Sequence, residues 1–290
     1  MSQAMNNPDK IMTDKICLVT GANAGIGKIT ASSLAKMGAT VIMVARSKAR
    51  GEAALADVRQ ASGSSDVHLL LGDLSSQASI RELAKTFKAN YSQLHVLVNN
   101  AGAMFKDRQL SADGLEMTFA LNHMGYFLLT DLLLDVLKAS APARIVNVSS
   151  DAHRNGRINF DDLQMEQTYR SFAAYSHSKL ANMLYTYELA RRLEGSDVTA
   201  NTLHPGVVAT QFGKGQGLMG WLFKIIRPFL LSPEQGAATQ IYLASSPEVE
   251  GVSGNYYDKK KAVKSSKVSY DTAVAQRLWQ VSEELISVGQ

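Results

Sequence analysis

Short apolar runs punctuate this chain, and longer stretches with helical spacing lie between them. The runs fall at 16–20, 40–45, 67–71, 95–99, 144–149 and 198–203, mostly bounded by turn-forming residues. They are nearly continuous in Val, Ile and Leu rather than alternating, the pattern of strands whose two faces are both covered by helices. Helical spacing marks 26–37, 48–61, 75–90, 113–138, 172–194 and 233–244. Strand and helix in alternation predict an α/β chain with one doubly wound parallel sheet and helices on both faces. No fixed-period repeat and no Pro/Ser-rich linker interrupts it, so the expectation is a flexible leader over 1–14 followed by a single domain over 15–290.

One stretch breaks the rhythm. From about 211 to 232 the chain opens on Gly213, Gly215 and Gly217 and then gathers Leu218, Met219, Trp221, Leu222, Phe223, Ile225, Ile226, Phe229, Leu230 and Leu231. Large apolar groups behind glycine hinges suit a lid over an apolar ligand, while a helix packed on the core or a surface touching a membrane or partner gives the same pattern.

Composition narrows the classes. The 290 residues, 46% hydrophobic, suffice for one large core, and the single cysteine, Cys17, rules out a disulfide-stapled scaffold or a thiolate zinc cluster. A reducing cytoplasm is expected, and no metal: a His-Glu-x-x-His string is absent. Thirty Lys and Arg against 26 Asp and Glu are interspersed, which gives no ground for a nucleic-acid partner. The basic run Lys259, Lys260, Lys261, Lys264 and Lys267 reads as solvated surface. Neither a signal-peptide core nor twenty apolar residues in a row are present.

Directly after the first run comes Thr20-Gly21-Ala22-Asn23-Ala24-Gly25-Ile26-Gly27, with a helix following. Glycines there allow a tight turn and a close approach to a pyrophosphate, and the helix start offers bare N–H groups and a positive dipole end. In this strand-turn-helix context the string predicts a Rossmann-type dinucleotide site, with Gly21, Asn23, Ala24, Gly25, Ile26 and Gly27 as contacts. An acid at the end of the second strand would bind the ribose of NAD, but the chain reads Val44-Ala45-Arg46-Ser47-Lys48. Arg46, with Lys48 or Arg50 in reserve, could neutralise the 2′-phosphate of NADP instead, so NADP(H) is the expected cofactor. Asp73 and Leu74 end the third strand and Asn100, Ala101 and Gly102 follow the fourth, at the sheet edge where such folds bind ligands. Asp73 could accept from the adenine amino group, and the Asn100 string could lie along the cofactor ribose.

Tyr175 and Lys179 are four apart on a predicted helix, hence on one face. A phenol titrates near ~10, and a neighbouring ammonium favours its ionised form, so the pair can act as proton donor or acceptor. Ser149 and Ser150 end the fifth strand, and Asn122 lies within the fourth predicted helix. A serine hydrolase would need a Gly-x-Ser-x-Gly elbow, which is missing. His153, His177 and His204 fall nearby and are assigned no catalysis.

Taken in order, the Thr20 to Gly27 turn, Asp73-Leu74, Asn99-Asn100-Ala101-Gly102, Asn122, Ser149-Ser150, Tyr175 to Lys179 and Pro205-Gly206 resemble the short-chain dehydrogenase/reductase superfamily. The resemblance implies a catalytic tetrad of Asn122, Ser150, Tyr175 and Lys179. In it Tyr175 protonates the substrate oxygen and Ser150 hydrogen-bonds it. Lys179 holds the nicotinamide ribose while lowering the tyrosine pKa, and Asn122 interrupts its helix and anchors a water. Ser149 is expected to face the other side of the strand. The resemblance further implies a nicotinamide loop of Pro205, Gly206, Val208 and Thr210. The strings Val146 to His153, Tyr175 to Asn182 and Arg277-Leu278-Trp279 look like the retinol dehydrogenase branch, which prefers NADP and acts on hydrophobic alcohols and aldehydes.

The expected function is therefore an NADP(H)-dependent oxidoreductase of lipophilic carbonyls or alcohols, retinal or retinol among them. A non-catalytic NADP(H)-binding sensor is the alternative. Peripheral membrane contact, and self-association through 113–138 and 172–194, are open expectations.

Overall fold

The computed structural model describes residues 10–206 and 231–287. Its sheet takes the order β3-β2-β1-β4-β5-β6-β7-β8. The strands are β1 (Ile16–Thr20), β2 (Thr40–Ala45), β3 (Val67–Leu71), β4 (Val96–Asn99), β5 (Ala143–Val148), β6 (Val198–His204), β7 (Tyr256–Asp258) and β8 (Lys261–Ala262). All pairings are parallel except β7 with β8, and the order reverses between β1 and β4. That reversal opens a crevice at the carboxyl edge, beyond the ends of these two strands.

The helices are α1 (Gly25–Lys36), α2 (Lys48–Ser62), α3 (Gln77–Asn90), α4 (Met117–Phe119), α5 (Gly125–Ala139), α6 (Ser171–Arg192), α7 (Pro233–Ser245) and α8 (Thr272–Ser287). The near-continuous apolar strands feed two cores. Leu18, Ile42, Val44, Leu97 and Ile145 join Phe87 of α3, Leu129 of α5, Leu184 of α6 and Leu278 of α8 in one. Cys17, Val19, Val41, Met43, Val96, Val98, Val146 and Val148 join Leu34 of α1, Val58 of α2 and Leu243 of α7 in the other. Successive strand residues point to opposite faces, so both cores are drawn from the same runs.

Two expectations need adjusting. The continuous helix over 113–138 is broken: a bridge between Leu110 and Glu116 and the left-handed Gly114 (φ 76°) occupy its start, and a π-helical turn, Ala120–Met124, separates α4 from α5. The end of the expected leader, residues 10–14, forms a turn in which Met12 is buried and its N–H donates to Met37 O at 3.0 Å. Strands β7 and β8 and helix α8 were not anticipated. Trp279 of α8 stacks on Tyr185 of α6 at 5.7 Å, so α8 closes the outside of the first core. Among the described residues no helix is long and apolar enough to cross a membrane, and no three His, Cys, Asp or Glu gather as metal ligands would.

Candidate active site

The crevice begins at the turn between β1 and α1. Gly21 (φ 64°) and Gly25 (φ 55°) take the left-handed backbone that the turn requires. A Cβ on Gly27 would come 2.6 Å from Gly21 O and closer still to the Asn100 amide. The Asn100 amide is there because it donates to Thr20 O at 2.7 Å, while Thr20 Oγ1 accepts from Asn100 N–H (2.8 Å) and Ala101 N–H (3.0 Å). Gly27→Ala is expected to cost about 1–3 kcal/mol by overpacking, read as a lower unfolding midpoint. A midpoint equal to wild type would show that the turn can yield.

Three helix starts are closed by serine caps, Ser47 on α2, Ser76 on α3 and Ser232 on α7, while the cap position of α6, Arg170, makes no such bond. At α1 the cap position is Ala24, with no side-chain bond, so its first N–H groups are left for a ligand. Around that cradle lie the other expected contacts. Arg46, at the end of β2, sits 3.6 Å from Asp73 Oδ2 in a half-exposed pair. Asp73 Oδ1 accepts from Ser75 N–H and Ser75 Oγ at 3.0 and 2.7 Å. The Leu74 side chain is buried in the first core, and its carbonyl oxygen lies against Gly125. Asn100 Oδ1 is buried and lacks a protein partner among the described residues. These features fit a dinucleotide: a cradle without side chains, bare N–H groups and an acceptor in need of a donor.

Beyond β4 and β5 the crevice reaches a cluster of polar side chains. Lys179 of α6 is 3% exposed, and its Nζ donates to Val148 O at 2.9 Å and lies 5.6 Å from the centre of the Tyr175 ring. Burial draws its pKa down to about 7. Tyr175 hydrogen-bonds Ser150; burial pushes the phenol above its ordinary value and the Ser150 bond opposes this. Burial outweighs the Ser150 bond, so the net movement of the phenol is upward, where a net lowering was expected, and the hydroxyl keeps its proton at neutral pH. Ser149 Oγ donates to Lys179 O at 2.9 Å, so its side chain turns toward the backbone of α6, the helix that carries Tyr175, and the expectation that it faces away is not met.

The π turn places Asn122 across from Gly102. Its Oδ1 accepts from Ala103 N–H at 2.8 Å, and its Nδ2 donates to Ala103 O and Ser178 Oγ at 2.9 and 3.0 Å. Its carbonyl accepts from Asn182 Nδ2 at 2.9 Å, which occupies one of that oxygen's two lone pairs. Asn182 ends a buried chain missed in the sequence: Asn99 Nδ2 donates to Asn147 Oδ1, Asn147 Nδ2 to Thr186 Oγ1, and Thr186 Oγ1 to Asn182 O. These bonds lock β4, β5 and α6 in register beneath Lys179. Pro205 and Gly206 close the far end of β6, whereas Val208, Thr210 and all but the last two residues of 211–232 lie outside the described residues.

A family model described as short chain dehydrogenase matches residues 15–218. The chain belongs to the short-chain dehydrogenase/reductase family. It is thereby an oxidoreductase of the hydride-transferring kind. It is similar to mouse retinol dehydrogenase 12, 45% identical over 274 residues, with 94% of this chain and 87% of that protein covered. A solved protein of Mycobacterium paratuberculosis is 34% identical with a TM-score of 0.77, covering 95% of this chain and 94% of that one. A short chain dehydrogenase of Shigella flexneri, solved with NADP, shares the fold at 23% identity and a TM-score of 0.71, over 87% of this chain and 100% of that one.

Proposed function

We propose that this dehydrogenase uses NADP(H) to interconvert lipophilic aldehydes or ketones and their alcohols, retinal-like molecules among them. One arrangement carries the reading: a phenol bonded to Ser150, with a buried Lys179 beside its ring, at the end of a crevice that starts in a glycine cradle. When bound, the nicotinamide supplies or accepts the hydride. Gly21, Asn23, Ala24, Gly25, Ile26 and Gly27 would hold the pyrophosphate, Arg46 the 2′-phosphate and Asp73 the adenine. Asn100, Ala101 and Gly102 would line the cofactor riboses, Tyr175 and Lys179 the one nearest the nicotinamide, and Pro205, Gly206, Val208 and Thr210 the nicotinamide.

In reduction the Tyr175 hydroxyl gives its proton to the substrate oxygen as that oxygen gains charge, while the Ser150 hydroxyl donates a hydrogen bond to the same atom. In oxidation Tyr175 must first lose its proton, and the phenolate then takes the alcohol proton while the Ser150 hydroxyl orients the same oxygen. A phenol kept protonated by burial favours the donor role at neutral pH, which suits carbonyl reduction. Arg46 in place of an acid, and the NADP held by the Shigella structure, support the cofactor. The similarity to retinol dehydrogenase 12 and the apolar residues at 218–231 support a lipophilic substrate.

The test is NADPH consumption across aldehydes of increasing chain length. Each added methylene is expected to raise kcat/KM by about 4-fold until the pocket is filled, on the ~0.8 kcal/mol a buried CH₂ contributes. A flat series with small polar carbonyls preferred would overturn the substrate class.

A further inference from the structure

Two histidines with no part in this chemistry grip a single peptide plane, the one joining Ser150 to Asp151. Its carbonyl, Ser150 O, accepts from His153 Nδ1 at 2.7 Å and from the His153 N–H at 3.0 Å. Its N–H, that of Asp151, donates to His204 Nδ1 at 3.2 Å. The surroundings fix the ring protons. Ser266 N–H donates to His153 Nε2 at 3.1 Å, so Nε2 is bare and the proton sits on Nδ1, facing Ser150 O. His204 Nδ1 accepts and is therefore bare as well.

His153 is fully buried, edge-on to Tyr256 at 5.1 Å. The segment that supplies Ser266 is itself anchored to α6: Ser265 Oγ pairs with Tyr187 OH at 2.8 Å, and Tyr270 stacks on Tyr187 at 5.3 Å. The plane after Ser150 is thus held from β6 on one side and from the C-terminal segment on the other.

We propose that His153 and His204 are positioning residues that lock the Ser150–Asp151 peptide plane and thereby aim the Ser150 hydroxyl. The inference rests on the role given to Ser150 above. Rotation of that plane would move Ala152 N–H, which donates to Ser150 Oγ at 3.2 Å, and so release the hydroxyl from its orientation toward Tyr175. Protonation breaks the lock at both ends, because His153⁺ would set an N–H against Ser266 N–H and His204⁺ one against Asp151 N–H. Asp151, Arg154 and His204 face His153; Asp151, Asp258, Arg154 and Lys259 face His204; and Tyr256 of β7 packs on the His153 ring. Burial is the largest influence on both rings and holds them below 6.5, so the lock is intact at neutral pH and fails as pH falls through the acid range.

The test compares two kinds of replacement. Phe at either position fills the ring's space without a polar δ atom. Asn restores one, as a donor in His153→Asn and as an acceptor in His204→Asn. Each Phe variant is expected to lose about 10–100-fold in kcat with NADPH affinity unchanged, as small misplacements of a reacting group do. The double Phe variant should be little worse than either single one, since both act on one plane. The Asn variants should recover most of kcat, and the double Asn variant should lose the acid limb that wild type shows below pH ~6.5. If the Phe variants do not fold, the double Asn profile decides, and an acid limb identical to wild type overturns the lock. Wild-type kcat in the Phe variants, with Ser150→Ala inactive, overturns the lock alone. Full activity in Ser150→Ala overturns the role of Ser150.

Discussion

Tyr175→Phe should lower carbonyl-dependent NADPH oxidation by about 10³-fold, inside the ~10²–10⁴ range that a positioned general acid contributes. The substitution deletes one oxygen and keeps the ring that lies beside Lys179 and fills the end of the crevice. It leaves the glycine cradle, Arg46 and the bare start of α1 in place. Cofactor affinity, read from nicotinamide fluorescence on titration, should therefore stay close to wild type, and the loss should fall on kcat. A variant that turns over at the wild-type rate would remove Tyr175 from proton transfer. Loss of cofactor binding in step with activity would instead mark the phenol as a structural part of the cradle. The same experiment bears on the sensor alternative, because a protein that only holds the dinucleotide would show no carbonyl-dependent oxidation in wild type to begin with.

The parts legible in the sequence were those whose signal is local. Three strands, Ile16–Thr20, Thr40–Ala45 and Val67–Leu71, match the apolar runs residue for residue: the first two are buried on both faces and so apolar throughout, and the half-buried edge strand is an apolar run that turn formers bound sharply. The glycine turn and the Tyr175–Lys179 spacing were legible for the same reason, since each is a short string with a fixed offset. Non-local features were hidden. Strand β7 is three residues long and owes its place to pairing with β6, and nothing in Tyr256–Asp258 alone announces a strand. The π turn around Asn122 inserts one residue into an otherwise helical apolar pattern and so reads as continuous helix. Helix α8 did carry a signal, since Ala275, Leu278, Ser282 and Ile286 recur at helical spacing and are its buried positions. The raised phenol of Tyr175 could not be read from spacing, which shows the cation four residues on but not the depth of burial around the hydroxyl.

Arg46→Asp should reverse the choice between the two dinucleotides. Arg46 pairs with Asp73, 3.6 Å away, with side-chain exposures of 63% and 33%. A pair so exposed contributes about 0–1 kcal/mol, so breaking it should barely alter the unfolding midpoint. The effect belongs to the ligand. A guanidinium on a 2′-phosphate makes charge-assisted hydrogen bonds, and replacing it with a carboxylate both removes them and sets like charges against each other. At ~1.5–3 kcal/mol for the lost bonds alone, the Kd for NADPH should rise by about 10–150-fold. NADH has a hydroxyl in that place, from which an aspartate at the end of β2 could accept, so its affinity should hold or improve. Parallel fluorescence titrations with the two reduced cofactors measure the ratio directly. The loss for NADPH should also shrink as salt is raised, because the contact is exposed enough to be screened. If both cofactors weaken equally, Arg46 shapes the crevice without reading the phosphate, and the neighbouring Lys48 and Arg50 become the groups to substitute next.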